Sequence, residues 1–198
     1  MTHTGEPAVY LASASPRRRQ LLAQIGIDCV AMAADLDESL HPGECVEAYV
    51  GRLAAAKARR VWEQVRAVAP RPVVAADTVV VAGAEVLGKP ADQADCRRML
   101  ARLSGTVHEV LTAVTVVSAA GESSALSRSQ VAFRPLAPAE IDAYWRSGEP
   151  ADKAGGYAIQ GRAAIFIEEL RGSYSGVMGL PLFETARLLA GHGVQVLA

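Results

Sequence analysis

The sequence predicts an α/β fold, in which helices flank one mixed sheet. Three observations predict it. Apolar runs of strand length are intermixed with stretches of helical periodicity. The longest apolar run, at residues 73–82, is typical of a strand buried on both faces. Turns around Gly83 and Gly121 join other strands as hairpins, so the sheet has antiparallel as well as parallel pairs.

The elements are predicted from hydrophobic spacing and from the residues that start or stop them. Ser15 followed by Pro16 is typical of a helix start, and Gly26 is a typical stop. In chain order the sequence predicts a strand at 8–12, a helix between Ser15 and Gly26, a helix at 44–66, a strand at 73–82, a short strand at 86–87, a helix at 92–103, strands at 110–118 and 130–136, a helix at 138–147, a loop at 148–161, a strand at 164–170 and a helix at 182–190.

The bulk composition limits the possible functions. The 198 residues predict a single domain over 1–198, large enough to bury a sizeable core. With 20 basic and 21 acidic side chains and a net charge of −1, a general nucleic-acid-binding role is disfavoured. The first residues lack the pattern of a signal peptide, and no apolar run approaches the ~18 residues that span a bilayer. We therefore expect a cytoplasmic protein without a nucleic-acid or membrane partner.

Three arginines, Arg17, Arg18 and Arg19, stand at the start of the first predicted helix. Cations are mildly unfavourable there, because a helix N-terminus is already partly positive. They become favourable if a phosphate docks at this end. The alternative interpretation is a solvated charged face.

Asp77 interrupts the long apolar strand. A bare buried carboxylate costs several kcal/mol and would normally take up a proton. It therefore needs a metal ion, a lysine or several hydrogen-bond donors around it. A metal-binding or catalytic role is one interpretation, and a structural ion pair is the other.

Other polar residues stand out less sharply. Lys57 falls on the apolar stripe of a helix, where it is either paired or extends its amine to water. Lys89 lies in a turn, as a phosphate ligand or a simple surface residue. The glycine-rich stretch at 152–161 permits close approach to a ligand, with Tyr157 free to stack and Gln160 able to read a base edge. The alternative is an ordinary surface loop.

These residue types suit the cleavage of a triphosphate. Such an enzyme needs cations around the phosphates, carboxylates for a metal ion and an oriented water molecule. The chain supplies them as Arg17, Arg18, Lys57, Lys89, Glu38 and Asp77. The GxxxxGK[ST] motif is absent, so a P-loop kinase or GTPase is not expected.

Five segments follow one another over residues 8–190. They are LASASPRR from Leu11, ADT from Ala76, GKP from Gly88, DKAGGYAIQG from Asp152 and GSYSGVMGLP from Gly172. In this order they resemble the Maf family of nucleoside triphosphate pyrophosphatases. The resemblance implies hydrolysis of a nucleoside triphosphate to the monophosphate and pyrophosphate with Mg²⁺ or Mn²⁺. It also implies an elongated fold with a cleft between two lobes, similar to inosine triphosphate pyrophosphatases, and a homodimer.

The resemblance also implies roles for individual residues. Asp77 matches the acidic residue treated as the proton acceptor, and we expect it to share a metal ion with Glu38. The positions tied to substrate choice are Arg17, Thr78 and Gln160. The other matching pocket residues are Ser13, Arg18, Glu38, Lys57 and Lys89.

The stretch at 152–161 resembles the branch of the family that acts on dTTP and UTP, in a housecleaning role for the nucleotide pool. Ala158 stands where glycine is usual, and Ser175-Gly176 replaces a bulkier pair, which bears on fine specificity. Two alternatives stay open. One is a nucleotide-binding regulator of septum formation and cell division. The other is a pyrophosphatase for modified or purine nucleotides.

Overall fold

A computed structural model of the chain describes residues 6–196. Its strands within that range are β1 (Val9–Leu11), β2 (Cys29–Ala31), β3 (Val73–Ala82), β4 (Glu85–Leu87), β5 (Val107–Ser118), β6 (Gly121–Phe133) and β7 (Ile167–Arg171). Its α-helices are α1 (Pro16–Gln24), α2 (Val46–Val65), α3 (Gln93–Leu103), α4 (Pro138–Arg146), α5 (Tyr174–Met178) and α6 (Leu182–Gly191). Short 3₁₀ helices cover Glu149–Asp152, Ala154–Gly156 and Arg162–Phe166.

The strands form one sheet in the order β2-β1-β3-β5-β6-β7, with β4 paired to β3. β1 pairs in parallel with both β2 and β3. The β3–β4 and β6–β7 pairs are antiparallel. The predicted mixed α/β class is therefore confirmed. Among the described residues, no helix is both long enough and apolar enough to span a membrane.

Two sequence predictions about strands are corrected. The strand predicted at 164–170 begins only at Ile167, because the preceding residues form a 3₁₀ helix. The backbone N–H groups of Arg162 and Ala163 donate to the Glu149 carboxylate. These N–H groups therefore bond to a side chain and not to a neighbouring strand. The strand predicted at 130–136 is instead the end of β6, which starts nine residues earlier at Gly121 and stops at Phe133.

The chain divides into two compact units. One comprises the chain up to Asp77, Ala113–Leu126 and the chain from Gly179; the other comprises Thr78–Thr112 and Ser127–Met178. β3, β5 and β6 contribute residues to both units. The prediction of a single domain over residues 1–198 stays a prediction.

The first unit has a core in which α2 packs on the parallel strands. Its helix side comes from Ala58, Val61 and Val65, which face Tyr10 and Val73 of the sheet. The spacing of the three helix residues places them on one face, as the sequence pattern predicts. This packing fixes the side of α2 that also carries Lys57.

The second unit has an aromatic core. His108 is 2% exposed, and its ring lies edge-on to Phe133 and Tyr157. Its Nε2 is 2.9 Å from the Tyr157 hydroxyl. Burial lowers the pKa of His108 to about 4, so the ring is neutral at pH 7. The pair fixes the middle of the glycine-rich stretch.

Candidate active site

Asp77 lies in the middle of β3, where flanking valines and alanines make the strand apolar on both faces. Its side chain is almost fully buried. Burial raises the pKa of Asp77 above that of an ordinary carboxyl, and the nearby charges of Lys57 and Arg18 offset only part of this effect. The carboxylate is therefore closer to neutrality than a surface aspartate, which suits a group that must accept a proton.

Lys57 reaches Asp77 from the apolar stripe of α2. Its Nζ donates to Asp77 Oδ1 over 2.7 Å and forms an ion pair with Glu38 Oε1 at 2.6 Å. Those two partners engage two of the three N–H groups of the amine. Because the lysine is only 8% exposed, its amine is not reaching to water along the helix surface. The structure thus favours the paired interpretation of Lys57.

Glu38 belongs to the segment that precedes α2. Its side chain is half exposed, in contrast to that of Asp77. The Tyr49 hydroxyl, on the first turns of α2, donates to the Glu38 backbone carbonyl over 2.8 Å. This bond ties the segment to the helix that carries Lys57, so both carboxylates meet the same amine.

Arg18 is held at the start of α1 by two described hydrogen bonds. Its Nε donates to the Gly179 carbonyl at 2.8 Å, and its Nη1 donates to Ser13 Oγ at 3.2 Å. Ser13 Oγ also accepts from the Ser15 N–H at 3.1 Å, so Ser13 serves this turn while Ser15 makes no side-chain cap. Ser13 and Arg18, both predicted site residues, are therefore in direct contact.

The charges of this group favour an anion. Burial lowers the pKa of Arg18, the Asp77 carboxylate opposes that effect, and neighbouring Arg17 adds to it. Burial and a second guanidinium both destabilise the charged form of Arg18. A bound phosphate would stabilise that charged form. Arg17, Arg18 and Lys57 outnumber the two carboxylates. Arg19 is exposed, so the phosphate-docking interpretation of the arginine run stays a prediction that concerns Arg17 and Arg18.

The two carboxylates also fit a divalent cation. Glu38 and Asp77 direct one oxygen each to a single point of positive charge, the Lys57 amine. Within residues 6–196, no group of three or more His, Cys, Asp or Glu side chains could hold a metal ion. Mg²⁺ is commonly bound by one or two carboxylates together with substrate phosphates and water. The donor set is consistent with that mode.

The second unit carries the remaining predicted residues, Thr78, Lys89 and Gln160. The Thr78 hydroxyl lies 3.0 Å from the hydroxyl of Thr112 on β5. Lys89 and Gln160 are exposed. The Gly155 N–H donates to the Gly88 carbonyl at 2.9 Å, which ties the turn that carries Lys89 to the glycine-rich stretch that carries Gln160.

Tyr144 and Glu149 anchor the backbone on both sides of Gln160. The Tyr144 hydroxyl accepts from the Ala158 N–H at 3.1 Å and donates to Glu149 Oε1 at 2.7 Å. Glu149 Oε2 in turn accepts from the Arg162 N–H at 3.0 Å. Burial would raise the pKa of Glu149, but these donors outweigh it and lower that pKa. We call Tyr144 and Glu149 the loop clamp; nothing in their sequence spacing indicated it.

Tyr157 does not have the role that the sequence suggested. It is buried, its hydroxyl contacts His108 Nε2, and its ring lies edge-on to Phe133. Stacking on a base needs an exposed ring face, so the predicted stacking role is wrong. Tyr157 instead supports the stretch from inside the core.

Replacing Gly161 by alanine should loosen the loop clamp. Its φ is not in the left-handed region, but an added Cβ would overlap the Glu149 carboxylate, which is held by hydrogen bonds. We expect Gly161→Ala to lower the free energy of unfolding by ~1–3 kcal/mol, measured by urea denaturation. Gly51→Ala is a matched change in α2, where the added Cβ has open space around it. The free energy of unfolding of that variant should rise by about 0.5–1 kcal/mol. Equal effects of the two changes would contradict the clamp.

Known proteins are similar to this chain over nearly its whole length. The family model described as Maf-like protein matches residues 8–192. A dTTP/UTP pyrophosphatase of Cupriavidus metallidurans is 51% identical, covering 94% of this chain and 98% of that protein. Proteins of the same name from Hahella chejuensis (50% identical, 97% and 96% covered) and Alkalilimnicola ehrlichii (54% identical, 92% and 92% covered) are similar to it as well.

A search of solved structures finds the Ham1 protein of Staphylococcus aureus. It is 14% identical, with 66% of this chain and 72% of that chain covered and a TM-score of 0.43. The similarity to inosine triphosphate pyrophosphatases stays a prediction.

Proposed function

Because this chain belongs to the Maf family, we propose that it hydrolyses dTTP and UTP to the nucleoside monophosphate and pyrophosphate, as a housecleaning activity of the nucleotide pool. One observation carries the proposal. Lys57 holds the buried Asp77 and the half-exposed Glu38 together at 2.7 and 2.6 Å. The names of relatives about 50% identical over nearly the whole chain support the substrate assignment.

The reaction adds water across the bond between the α- and β-phosphates. The water oxygen attacks the α-phosphorus, the bond to the bridging oxygen breaks, and pyrophosphate leaves. Asp77 accepts the proton of the attacking water, a task that its raised pKa favours. Arg17, Arg18 and Lys57 neutralise the phosphate oxygens as negative charge moves to the leaving group. Lys89 contributes a further cation from the exposed turn.

A divalent cation, Mg²⁺ or Mn²⁺, is part of the proposal, with Glu38 and Asp77 as its protein ligands. When bound, it would neutralise phosphate charge and polarise the phosphoryl oxygens. Asp77 cannot serve as a tight ligand and a free base at once. Glu38, which is the more exposed carboxylate, would carry more of the metal binding and leave Asp77 for the proton.

Thr78 and Gln160 would recognise the pyrimidine. A site built on hydrogen bonds discriminates strongly, because a wrong base leaves buried polar groups unpaired. The loop clamp supports this role, since it fixes the backbone on either side of Gln160. The homodimer implied by the family resemblance and the cytoplasmic location expected from the sequence stay predictions.

The test is pyrophosphate release from a panel of ribo- and deoxyribonucleoside triphosphates, with Mg²⁺, with Mn²⁺ and with excess chelator. We expect the highest kcat/KM for dTTP and UTP and no release with chelator. Release only from purine or modified nucleotides would retain the enzyme class and overturn the pyrimidine assignment. No release from any nucleotide would overturn the whole proposal. Equal release in the presence of chelator would overturn the proposed requirement for a metal ion.

A further inference from the structure

A short chain of hydrogen bonds starts at Thr78 and lies within the second unit. The Thr112 hydroxyl, on β5 and 1% exposed, donates to the Gly176 carbonyl over 2.8 Å. The same Thr112 oxygen lies 3.0 Å from the Thr78 hydroxyl oxygen. Thr112 has no counterpart among the residues that the motifs single out. Its hydroxyl joins the backbone at Gly176 to the side chain of Thr78.

The protons along this chain have a fixed direction. A carbonyl oxygen carries no proton, so the bond to Gly176 uses the one proton of the Thr112 hydroxyl. Thr112 can then take part in the bond to Thr78 only as the acceptor. The Thr78 hydroxyl must donate its own single proton to Thr112. Toward every other partner, Thr78 presents lone pairs and acts as an acceptor.

The Gly176 carbonyl is held in place, so it keeps the proton of the Thr112 hydroxyl directed toward it. The Gly176 N–H donates to Ser173 Oγ at 3.0 Å, and the Ser173 N–H donates to Ser129 Oγ at 3.0 Å. A Cβ at position 176 would lie 3.1 Å from Ser127 Oγ, tighter than ordinary van der Waals contact. The absence of a side chain lets this turn of α5 approach β6 and point its carbonyl at Thr112.

We propose that Thr112 is a positioning residue for base choice, which makes Thr78 an acceptor and so selects uracil and thymine over cytosine. The inference rests on the proposed function, in which Thr78 meets the base. Uracil and thymine carry an N3–H donor that matches the Thr78 lone pairs. Cytosine has an unprotonated N3 at the same place, so two acceptors would face each other and both would lose their hydrogen bonds.

The experiment compares UTP with CTP in the wild type and in Thr112→Val, which keeps the shape and removes the hydroxyl. Without its acceptor, the Thr78 hydroxyl can rotate and donate to cytosine N3. We expect the ratio of kcat/KM for UTP over CTP to fall about tenfold, the equivalent of ~1.4 kcal/mol for one hydrogen bond. The change should appear mainly in KM. Thr112→Ser, which restores a hydroxyl, should return the ratio to that of the wild type.

Thr115→Val is the matched control. Thr115 lies on the same strand, is fully buried and shares a 2.8 Å hydrogen bond with Ser124. Loss of the Thr115 hydroxyl should destabilise the protein about as much as Thr112→Val does. It should not change the ratio of kcat/KM for UTP over CTP. An unchanged ratio in Thr112→Val, or an equal change in Thr115→Val, would overturn the inference while the proposed function stands. A wild type that cleaves neither UTP nor dTTP would overturn both.

A second measurement covers the case in which Thr112→Val fails to fold. The wild type is assayed with UTP and with 3-methyl-UTP, which lacks the N3–H donor. A loss of about tenfold or more in kcat/KM for the methylated nucleotide supports an acceptor at this place. Equal rates for the two nucleotides overturn it.

Discussion

Asp77→Asn is expected to reduce kcat for pyrophosphate release from dTTP by about 10²- to 10⁴-fold, because it removes the proton acceptor. The amide has nearly the same shape as the carboxylate and can still accept the hydrogen bond from Lys57 Nζ, which is 2.7 Å from Asp77 Oδ1. It cannot take a proton from water. The measurement is the steady-state rate with saturating nucleotide and metal.

The same variant should remain folded. The pKa of Asp77 is raised in the folded chain, so the folded state binds this proton more tightly than the unfolded state does. The ionised carboxylate therefore costs stability, and the cost develops as pH rises from the ordinary carboxyl pKa through the raised one. Above the raised pKa the full cost is present. Thermal unfolding at pH 7 should show Asp77→Asn to be at least as stable as the wild type.

Asp92→Asn is the matched control for this substitution. Asp92 caps α3 by accepting from the Asp95 N–H at 2.8 Å, and asparagine caps a helix about as well. Its rate should equal that of the wild type. An Asp77→Asn protein that is folded and turns over at the wild-type rate would exclude Asp77 as the proton acceptor.

Lys57→Met should have the second largest effect, a fall in kcat/KM of about 10²-fold. Methionine fills the apolar stripe of α2 but brings no charge to Asp77 and Glu38. Lys57 is the main group that opposes the effect of burial on the pKa of Asp77. Without it, that pKa rises further, so the acid limb of the pH profile of kcat/KM moves to higher pH.

Arg59→Met is the control on the same helix. Arg59 forms an exposed ion pair with Glu122, and exposed pairs contribute at most about 1 kcal/mol to stability. Neither the rate nor the pH profile should change. A Lys57→Met profile whose acid limb coincides with that of the wild type would show that the amine does not control the titration of Asp77.

Much of the fold could be predicted because its apolar pattern is strong. β3 was predicted with its observed bounds, and α2 within two residues at its start and one at its end. β2 was missed because three residues, half or fully exposed, leave no apolar pattern. α5 was missed because its serine and glycine are poor helix formers, and hydroxyl groups from β5 and β6 support it.

The site could be predicted in part, for a related reason. Asp77 and Lys57 break an apolar pattern, so their positions alone indicate that each needs a partner. Thr112, Tyr144 and Glu149 break no pattern, because threonine is common in strands, tyrosine in cores and glutamate at surfaces. Their roles arise from hydrogen bonds to distant backbone groups, which spacing along the chain does not encode.

β3 carries Asp77 and Thr78 at consecutive positions, so the proposed proton acceptor and the hydroxyl proposed to recognise the nucleobase depend on the register of a single strand. Side chains of a strand alternate between faces, and an inserted or deleted residue before position 77 would exchange the faces of both groups. The turn at residues 119–120, between β5 and β6, can accept an inserted residue more easily, because no such alternation is at stake there. In β3, only a change of length by two residues at a time would keep both side chains on their present faces.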